Sequence, residues 1–329
     1  MPTLGGDDPV ALRQAAQRLA AGELVAFPTE TVYGLGARAD DDVSVAGIYA
    51  AKGRPSEHPL IVHVADVAAS AHFSGGLSPA ALRLTARFWP GPLTVIVPRR
   101  PGVAAAAAGG QDSIGLRLPA HPVALALLRE AARLGVPGVA APSANRFGRI
   151  SPTAAAHVVQ EFGSALTVLD GGDCEVGIES AIVDCTRDPP ALLRPGQLPR
   201  RALEAALGRA LADPDARSPR APGLLASHYA PVAPLRLLDT VALRHRLQSG
   251  RNEAGRAGGV VGVYSRLAFA GGPGYSARVM PADAAAAAHE LFSVLREFDA
   301  AGVAAIWVER PPPDPPWDGV RDRLQRAAT

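Results

Sequence analysis

The chain has 329 residues and a formal net charge of +2, with 33 Lys or Arg against 31 Asp or Glu, so no overall basic field points to bulk binding of nucleic acid. Its length predicts roughly two domains of ~150 residues. The start, MPTLGGDDPV, has no basic region followed by an apolar stretch, and nothing later approaches ~18 consecutive apolar residues, so neither a signal peptide nor a membrane span is expected and a soluble cytoplasmic protein is.

The N-terminal part alternates helical and strand patterns. DDPVALRQAAQRLAAG predicts a helix with Asp8 as N-cap, Pro9 in the first turn and Gly22 past the end. ELVAFP reads as a buried strand, a helix runs from about Val43 to Gly53, PLIVHV is a strand, and SPAALRLTARFWPG is a capped helix stopped by Pro90. Further strands are expected at LTVIVP, SIGLRLP, GVAAP, LTVLD, SAIVDC and ALLRPG, with helices at 121–134 and 152–162. So many strands for so few helices predict an α/β domain over 1–212 with a twisted mixed sheet. Residues 213–234 hold five prolines in 22 positions and read as a linker without regular structure. Beyond it, 235–329 alternates LRLL, a short helix, GVVGVYS, ARVM, a helix from Asp283 to about Ala301, VAAIWVE and an amphipathic helix from Gly319. That pattern predicts a small Rossmann-like α/β domain with a parallel sheet, lacking the G-x-G-x-x-G of a dinucleotide site.

Cys174 and Cys185 lie eleven apart without C-x-x-C spacing and are expected to be reduced thiols. The eight histidines show no H-x-x-x-H or H-E-x-x-H, which argues against a dedicated zinc site. Of the 33 basic residues all but one are arginines, and Lys52 is the exception. A lysine is a compact point charge on a flexible stem where arginine is a planar fork, so a position that keeps it either needs that shape or is a remnant at a helix end. Lys52 and Arg54 flank Gly53, with His58 and His63 following. Two cations around a glycine can seat a polyphosphate, although the P-loop pattern is absent.

FPTETVYGLG, at 27–36, presents Thr29, Glu30 and Thr31 after a strand end and Gly34 and Gly36 for an expected tight turn. The threonines either bind a ligand or cap their own backbone. APSANRFGRISPT, at 141–153, offers Ser143, Asn145 and Ser151 to a nucleotide, while Ser151 could equally cap the helix that follows. Arg117 lies among apolar neighbours in a strand and needs an anion, either a substrate carboxylate or an internal Asp or Glu. Several cations, many hydroxyls and no nucleophile, triad or metal cage together suit nucleotidyl transfer, in which positioning and charge neutralisation do most of the work.

In order, FPTETVYGLG, AAKGRPSEHPLIVHV, WPGPLT, SIGLRLPAHP, APSANRFGRISPT, ESAIVD, LLRPG and HYAP resemble the YrdC-type threonylcarbamoyl-AMP synthases in their long two-domain form. The resemblance implies that L-threonine, bicarbonate and ATP become threonylcarbamoyl-AMP and pyrophosphate, with Mg²⁺ accompanying ATP. The product would pass to a downstream threonylcarbamoyl transferase complex that modifies tRNA next to the anticodon. By position, Thr31, His63, Arg117, Ser180 and the backbone of Ala141 would hold threonine. Arg54, His58, Ser113, Ser143, Ser151, Arg194 and Tyr229 would hold ATP, and Lys52 and Asn145 complete the signature motifs as catalytic candidates with Arg54 and Ser143. His58 stands where many relatives carry Asn, and APGLLAS precedes the HYAP where relatives often have Ser-Pro-Gly-Met. The linker is expected to fold over the nucleotide.

Two rivals are weaker. An RNA-binding module without turnover is disfavoured by 5% aromatics and no basic run interleaved with them, so no stable nucleic-acid binding is expected. The carbamoyl-adenylate chemistry of hydrogenase maturation goes with zinc-finger cysteine pairs, which two lone cysteines do not supply.

Overall fold

The structure, a computed structural model, describes residues 3–225, 227–249, 259–267, 269 and 271–328. The chain forms two compact units, Met1–Phe147 with Ser151–Leu224, and Gly148–Ile150 with Leu225–Thr329.

In the first unit, helices α1 (Pro9–Ala20), α2 (Asp42–Lys52), α3 (Ser70–Phe73), α4 (Pro79–Phe88), α5 (Pro122–Arg133), α6 (Ala155–Phe162) and α7 (Arg200–Leu207) surround a mixed ten-stranded sheet. Its strands are β1 (Thr3–Gly5), β2 (Val25–Phe27), β3 (Gly34–Arg38), β4 (Ile61–His63), β5 (Leu93–Pro98), β6 (Ser113–Arg117), β7 (Val139–Ala140), β8 (Thr167–Asp170), β9 (Ala181–Asp184) and β10 (Ala191–Arg194). They lie in the order β1-β8-β2-β3-β7-β4-β6-β5-β9-β10. The cap of α1 is as the sequence predicts: Asp8 accepts from the Val10 N–H at 2.8 Å and Pro9 opens the helix. Apolar residues of α1 and α5, including Ala15, Leu19, Leu127 and Leu128, pack together with β2 and β8.

The sheet register decides where a site can form. Ile61 pairs with Gly115, His63 with Arg117, Ile96 with Gly115 and Thr94 with Ile182. Alternate residues of a strand share a face. Ile61, His63, Gly115, Arg117, Thr94, Ile96 and Ile182 therefore share one face, while Val62, Leu116, Val95 and Val183 join the main core on the other. On the first face, Ile61, Ile96, Ile182 and Leu193 are covered not by a helix but by Ala212, Ala221 and Leu224. Thus the proline-rich segment, which forms no helix or strand in its described residues, packs with the first unit as far as Leu224.

One expectation needs correction. Gly34 and Gly36 do not make a tight turn; they lie in β3, between β2 and β7. Glycine is needed there for close packing: a Cβ on Gly36 would sit 2.8 Å from both the Phe27 ring and the Val139 methyl. The sequence reading also passed over β1, α3 and α7, which are short or, for α7, begin without a capping side chain.

The second unit has a four-stranded sheet ordered β11-β14-β12-β13, all parallel, from β11 (Leu235–Leu238), β12 (Val261–Ser265), β13 (Tyr275–Val279) and β14 (Ala305–Glu309). Helices α8 (Thr240–Ser249), α9 (Ala284–Ala300) and α10 (Asp318–Ala327) complete it. α9 buries Ala287, Leu291, Phe292, Leu295 and Phe298, and Asp283 caps it by accepting from the Ala286 N–H.

Gly36→Ala is expected to destabilise the first unit by ~1–3 kcal/mol, the cost of forcing an extra carbon into a packed core. Urea unfolding measures this, and an unchanged midpoint would show that β3 can yield.

Candidate functional site

Arg117 stands at the end of β6, on the face that α1 and α5 cover only at its β2–β7–β8 end. It is only 4% exposed. Its Nε–H donates to the Gly91 carbonyl at 3.3 Å and its NH1 to Thr31 Oγ1 at 2.8 Å. Its charge is balanced by Glu30, whose Oε1 lies 2.7 Å from NH2. The internal-acid alternative is therefore the one the fold uses. The two atoms form an ion pair by distance but not a hydrogen bond by direction, since neither NH2 nor Oε1 has a hydrogen-bond partner. Glu30 Oε2 is held separately by the Ala120 N–H at 3.0 Å.

Thr29 does the self-capping that the sequence left open: its hydroxyl bonds the Val32 carbonyl and accepts from the N–H groups of Thr31 and Val32. The Thr29 hydroxyl also bonds that of Thr31 at 2.8 Å, which holds Thr31 where it accepts from Arg117. His63 is paired across the sheet with Arg117 and is buried, with Nδ1 lacking a partner. Burial and the adjacent guanidinium push its pKa down to about 3, so the ring is neutral at physiological pH.

Lys52 is spent locally. α2 ends at Gly53, which takes the left-handed conformation at φ 65°. The preceding Lys52 side chain turns inward, 3% exposed, and Nζ donates to the carbonyls of Ser143, at 2.6 Å, and Asn145. The Lys52 carbonyl in turn accepts from the Phe147 N–H at 2.9 Å. The lone lysine thus clasps the loop that carries both serine and asparagine of the S-x-N motif. Burial, then Arg54, pulls its pKa well below the ordinary value, against the opposing pull of Glu161 and Glu179. Arg54 donates to the Pro59 carbonyl and lies 5.9 Å from the Phe147 ring centre, against which the His58 ring also packs. Burial and Arg54 hold the His58 pKa below its ordinary 6.5, so it does not titrate upward into the neutral range.

Ser180 precedes β9 on the same face. Its hydroxyl bonds Thr94 Oγ1 at 2.8 Å and accepts from Arg194 NH2 at 3.3 Å. Arg194 also donates from Nε to the Ser180 carbonyl and from NH1 to the Pro222 carbonyl, which ties it to the proline-rich segment. Ser113 lines a cleft beneath Arg220 and Pro222, with Thr94, Gly115 and Ile182. Gln111 and Arg220 exchange side-chain-to-backbone bonds at 2.8 and 3.1 Å and fasten the segment there. The Ala141 N–H donates to the Ile61 carbonyl at 2.9 Å, so any contact by that backbone falls to its carbonyl. Ser151 is not a helix cap; α6 starts at Ala155, and the Ser151 hydroxyl donates to the buried carboxylate of Glu179.

The first unit therefore carries three groups of these residues: Thr31, His63 and Arg117; Lys52, Arg54, His58, Ser143 and Asn145; and Ser113, Ser180 and Arg194. Tyr229 belongs to the second unit, where at φ 62° its ring stacks on Phe292 at 5.5 Å and lies 5.6 Å from the Arg323 guanidinium. Sequence reasoning did not single out Glu30 and Glu179 as site residues. The one available signal was a lone acid beside each motif hydroxyl, and that pattern is equally common on solvated loops.

Residues 17–196 match the Sua5/YciO/YrdC profile, described as "Telomere recombination". Residues 198–329 match the profile "Threonylcarbamoyl-AMP synthase, C-terminal domain". The threonylcarbamoyl-AMP synthase of Bacillus subtilis is 40% identical over 99% of this chain and 94% of its own. The chain belongs to the threonylcarbamoyl-AMP synthase family. The Pyrococcus abyssi family member is 38% identical over 91% of this chain and 88% of its own. A solved structure, "Crystal structure of P. abyssi Sua5 complexed with L-threonine", superposes with a TM-score of 0.87 at 35% identity, covering 96% of this chain and 94% of that one. The family resemblance drawn from the motifs is thereby borne out, as are the mixed sheet and the small parallel one. No helix among the described residues is long and apolar enough to cross a membrane.

His63 sets a pH dependence. The folded state keeps the ring neutral down to about pH 3 while the unfolded chain protonates it near 6.5, so the unfolded state binds more protons between these values. Stability contributed by the neutral ring is complete above ~6.5 and is lost on acidification, with a slope of up to ~1.4 kcal/mol per pH unit. Urea unfolding across this window should show a shallower slope for His63→Gln than for the parent; equal slopes would place the proton uptake elsewhere.

Proposed function

We propose that the first unit joins L-threonine, bicarbonate and ATP into threonylcarbamoyl-AMP and pyrophosphate. The observation that carries the reading is the buried cluster around Arg117, whose NH2 group makes no hydrogen bond and lies beside a neutral His63. Threonine would lie there, its carboxylate on Arg117 NH2 in a charge-assisted bond and the rest of it against Thr31, His63, Ser180 and the Ala141 carbonyl. ATP would run along Arg54, His58, Ser113, Ser143, Ser151 and Arg194. Threonine's neutral amine attacks carbon dioxide from bicarbonate, the bicarbonate hydroxyl and one amine proton leaving as water, and a carbamate oxygen then attacks the α-phosphorus as pyrophosphate leaves. A carbamate is labile in water, and the burial of Thr31, His63, Arg117 and Ser180 supports its protection.

Arg54 and Arg194 would offset charge on the departing phosphates; Lys52 contributes by holding Ser143 and Asn145 in register rather than by reaching the phosphates itself. Mg²⁺ would supply further neutralisation of the leaving group. Among the described residues no three His, Cys, Asp or Glu side chains gather to hold an ion. An ion borne by phosphate oxygens and water, with at most one or two carboxylates, fits that donor set. We place the reaction in the cytoplasm, and the product with a downstream transferase that acts on tRNA. The two cysteines, free and buried, suit a reducing compartment.

Pyrophosphate release should require threonine, bicarbonate and ATP together, and release that persists when threonine or bicarbonate is omitted would sink the reaction. Lys52→Arg keeps the charge but places a planar fork where Nζ reaches two carbonyls. Turnover should fall by about 10²-fold, the effect of a displacement of ~1 Å in the supporting structure; parent-like turnover would make the lysine a remnant.

A further inference from the structure

Glu30 is assigned to neither substrate by the motif comparison, yet its geometry is that of a binding residue. Its Oε2 is anchored by the Ala120 N–H, and Arg117 is anchored through Nε by Gly91 and through NH1 by Thr31. What remains is one acceptor, Glu30 Oε1, and one donor group, Arg117 NH2, lying 2.7 Å apart and each without a hydrogen-bond partner. Both residues are at least nine-tenths buried, Glu30 at 5% and Arg117 at 4% exposure. Buried acceptors and donors are rarely left without a hydrogen bond, and here the two atoms touch as an ion pair while their directions leave the hydrogen-bonding capacity of both unused.

The ligand that would satisfy both carries an anionic acceptor and a cationic donor separated by a single carbon. A free α-amino acid is such a molecule. We propose that Glu30 Oε1 accepts a hydrogen bond from the α-amino group of the substrate while Arg117 NH2 donates to its carboxylate. This rests on the reading of the cluster as the threonine site and adds the residue that recognises the amine. It also gives the ion pair a function beyond charge balance. The protein's dipole, carboxylate beside guanidinium, is the complement of the amino acid's own, so a zwitterion binds without leaving net charge in a buried site. A molecule lacking the amine would leave Glu30 Oε1 desolvated and unpaired.

The test crosses a protein substitution with a ligand truncation. Calorimetric titration of the full chain compares L-threonine with (R)-3-hydroxybutyrate, which is threonine without its amino group, and with ATP. The parent should prefer threonine strongly. In Glu30→Gln the threonine dissociation constant should rise by about 10- to 100-fold, as expected for losing a charge-assisted bond, while those for hydroxybutyrate and ATP stay within a few-fold. Selectivity for the amine then collapses. Equal weakening of threonine and hydroxybutyrate would make Glu30 a purely structural support, and unchanged threonine affinity would remove it from the site; either result overturns the assignment. If Glu30→Gln does not fold, judged by its thermal midpoint, Glu30→Asp keeps the charge but withdraws the oxygen, and the same selective loss is expected. Threonine that fails to bind the parent at all, or binds Arg117→Ala as tightly, would instead overturn the reading of the cluster as the threonine site.

Discussion

A guanidinium buried to 4% exposure can keep its charge only if the surrounding fold compensates it, and much of the site follows from how Arg117 is compensated. The carboxylate comes from the loop after β2, the hydroxyl from Thr31 in the same loop, and the carbonyl from Gly91 just before β5. One side chain on β6 therefore fixes two loops at once. Removing one partner of such a buried pair typically costs ~3–5 kcal/mol, because the remaining charge has no water to turn to. The same burial holds His63 neutral. Position on the face, charge balance and protonation state are consequences of one arrangement.

Lys52 obeys the same constraint by a different route. With no carboxylate bonded to it among the described contacts, it spreads its charge over two backbone carbonyls. Those carbonyls belong to the residues on either side of Ala144, so the bonds fix the loop's shape as well as the cation's place. Two cations a short distance apart in sequence thus have different duties. Lys52 organises the loop, and Arg54 lies nearer the surface against Phe147. Nζ serves both carbonyls from a single atom, where a guanidinium would have to use separate nitrogens of a larger planar fork, which gives a reason for a single lysine in a chain that otherwise uses arginine.

The covering of the site face is equally economical. On the site face α1 and α5 cover the β2–β7–β8 end, and where they stop a proline-rich segment lies over Ile61, Ile96 and Ile182. Proline prevents that segment from forming a helix or adding a strand, and its carbonyls remain available to Arg194. A cover of this kind can be fastened by a few side-chain bonds, such as those of Gln111 and Arg194, without joining the sheet.

Much of this was legible in the residue order. The cap of α1, the start of α9, the lone lysine beside a helix-ending glycine, the hydroxyl-rich loops and the change of composition at 213 follow from local chemistry, because capping, periodicity and proline content act over a few residues. The order of motifs was enough to suggest the family. Local chemistry could not determine which of two acceptable partners a side chain would take. Thr29 and Thr31 lie two apart in one loop, yet one caps its backbone and the other faces Arg117. Ser151 bonds Glu179, 28 positions away, instead of capping a helix. Gly34 and Gly36 lie in a strand rather than a turn, and at Gly36 Phe27 and Val139 leave no room for a Cβ. By itself the sequence determined which groups carry charge, which positions break helices and which stretches alternate. Only the tertiary structure decided the pairing register that puts His63, Arg117 and Ser180 on one face, and with it the partnership of Glu30 and Arg117, because burial makes a charge's nearest neighbour in space, not in sequence, the one that must satisfy it.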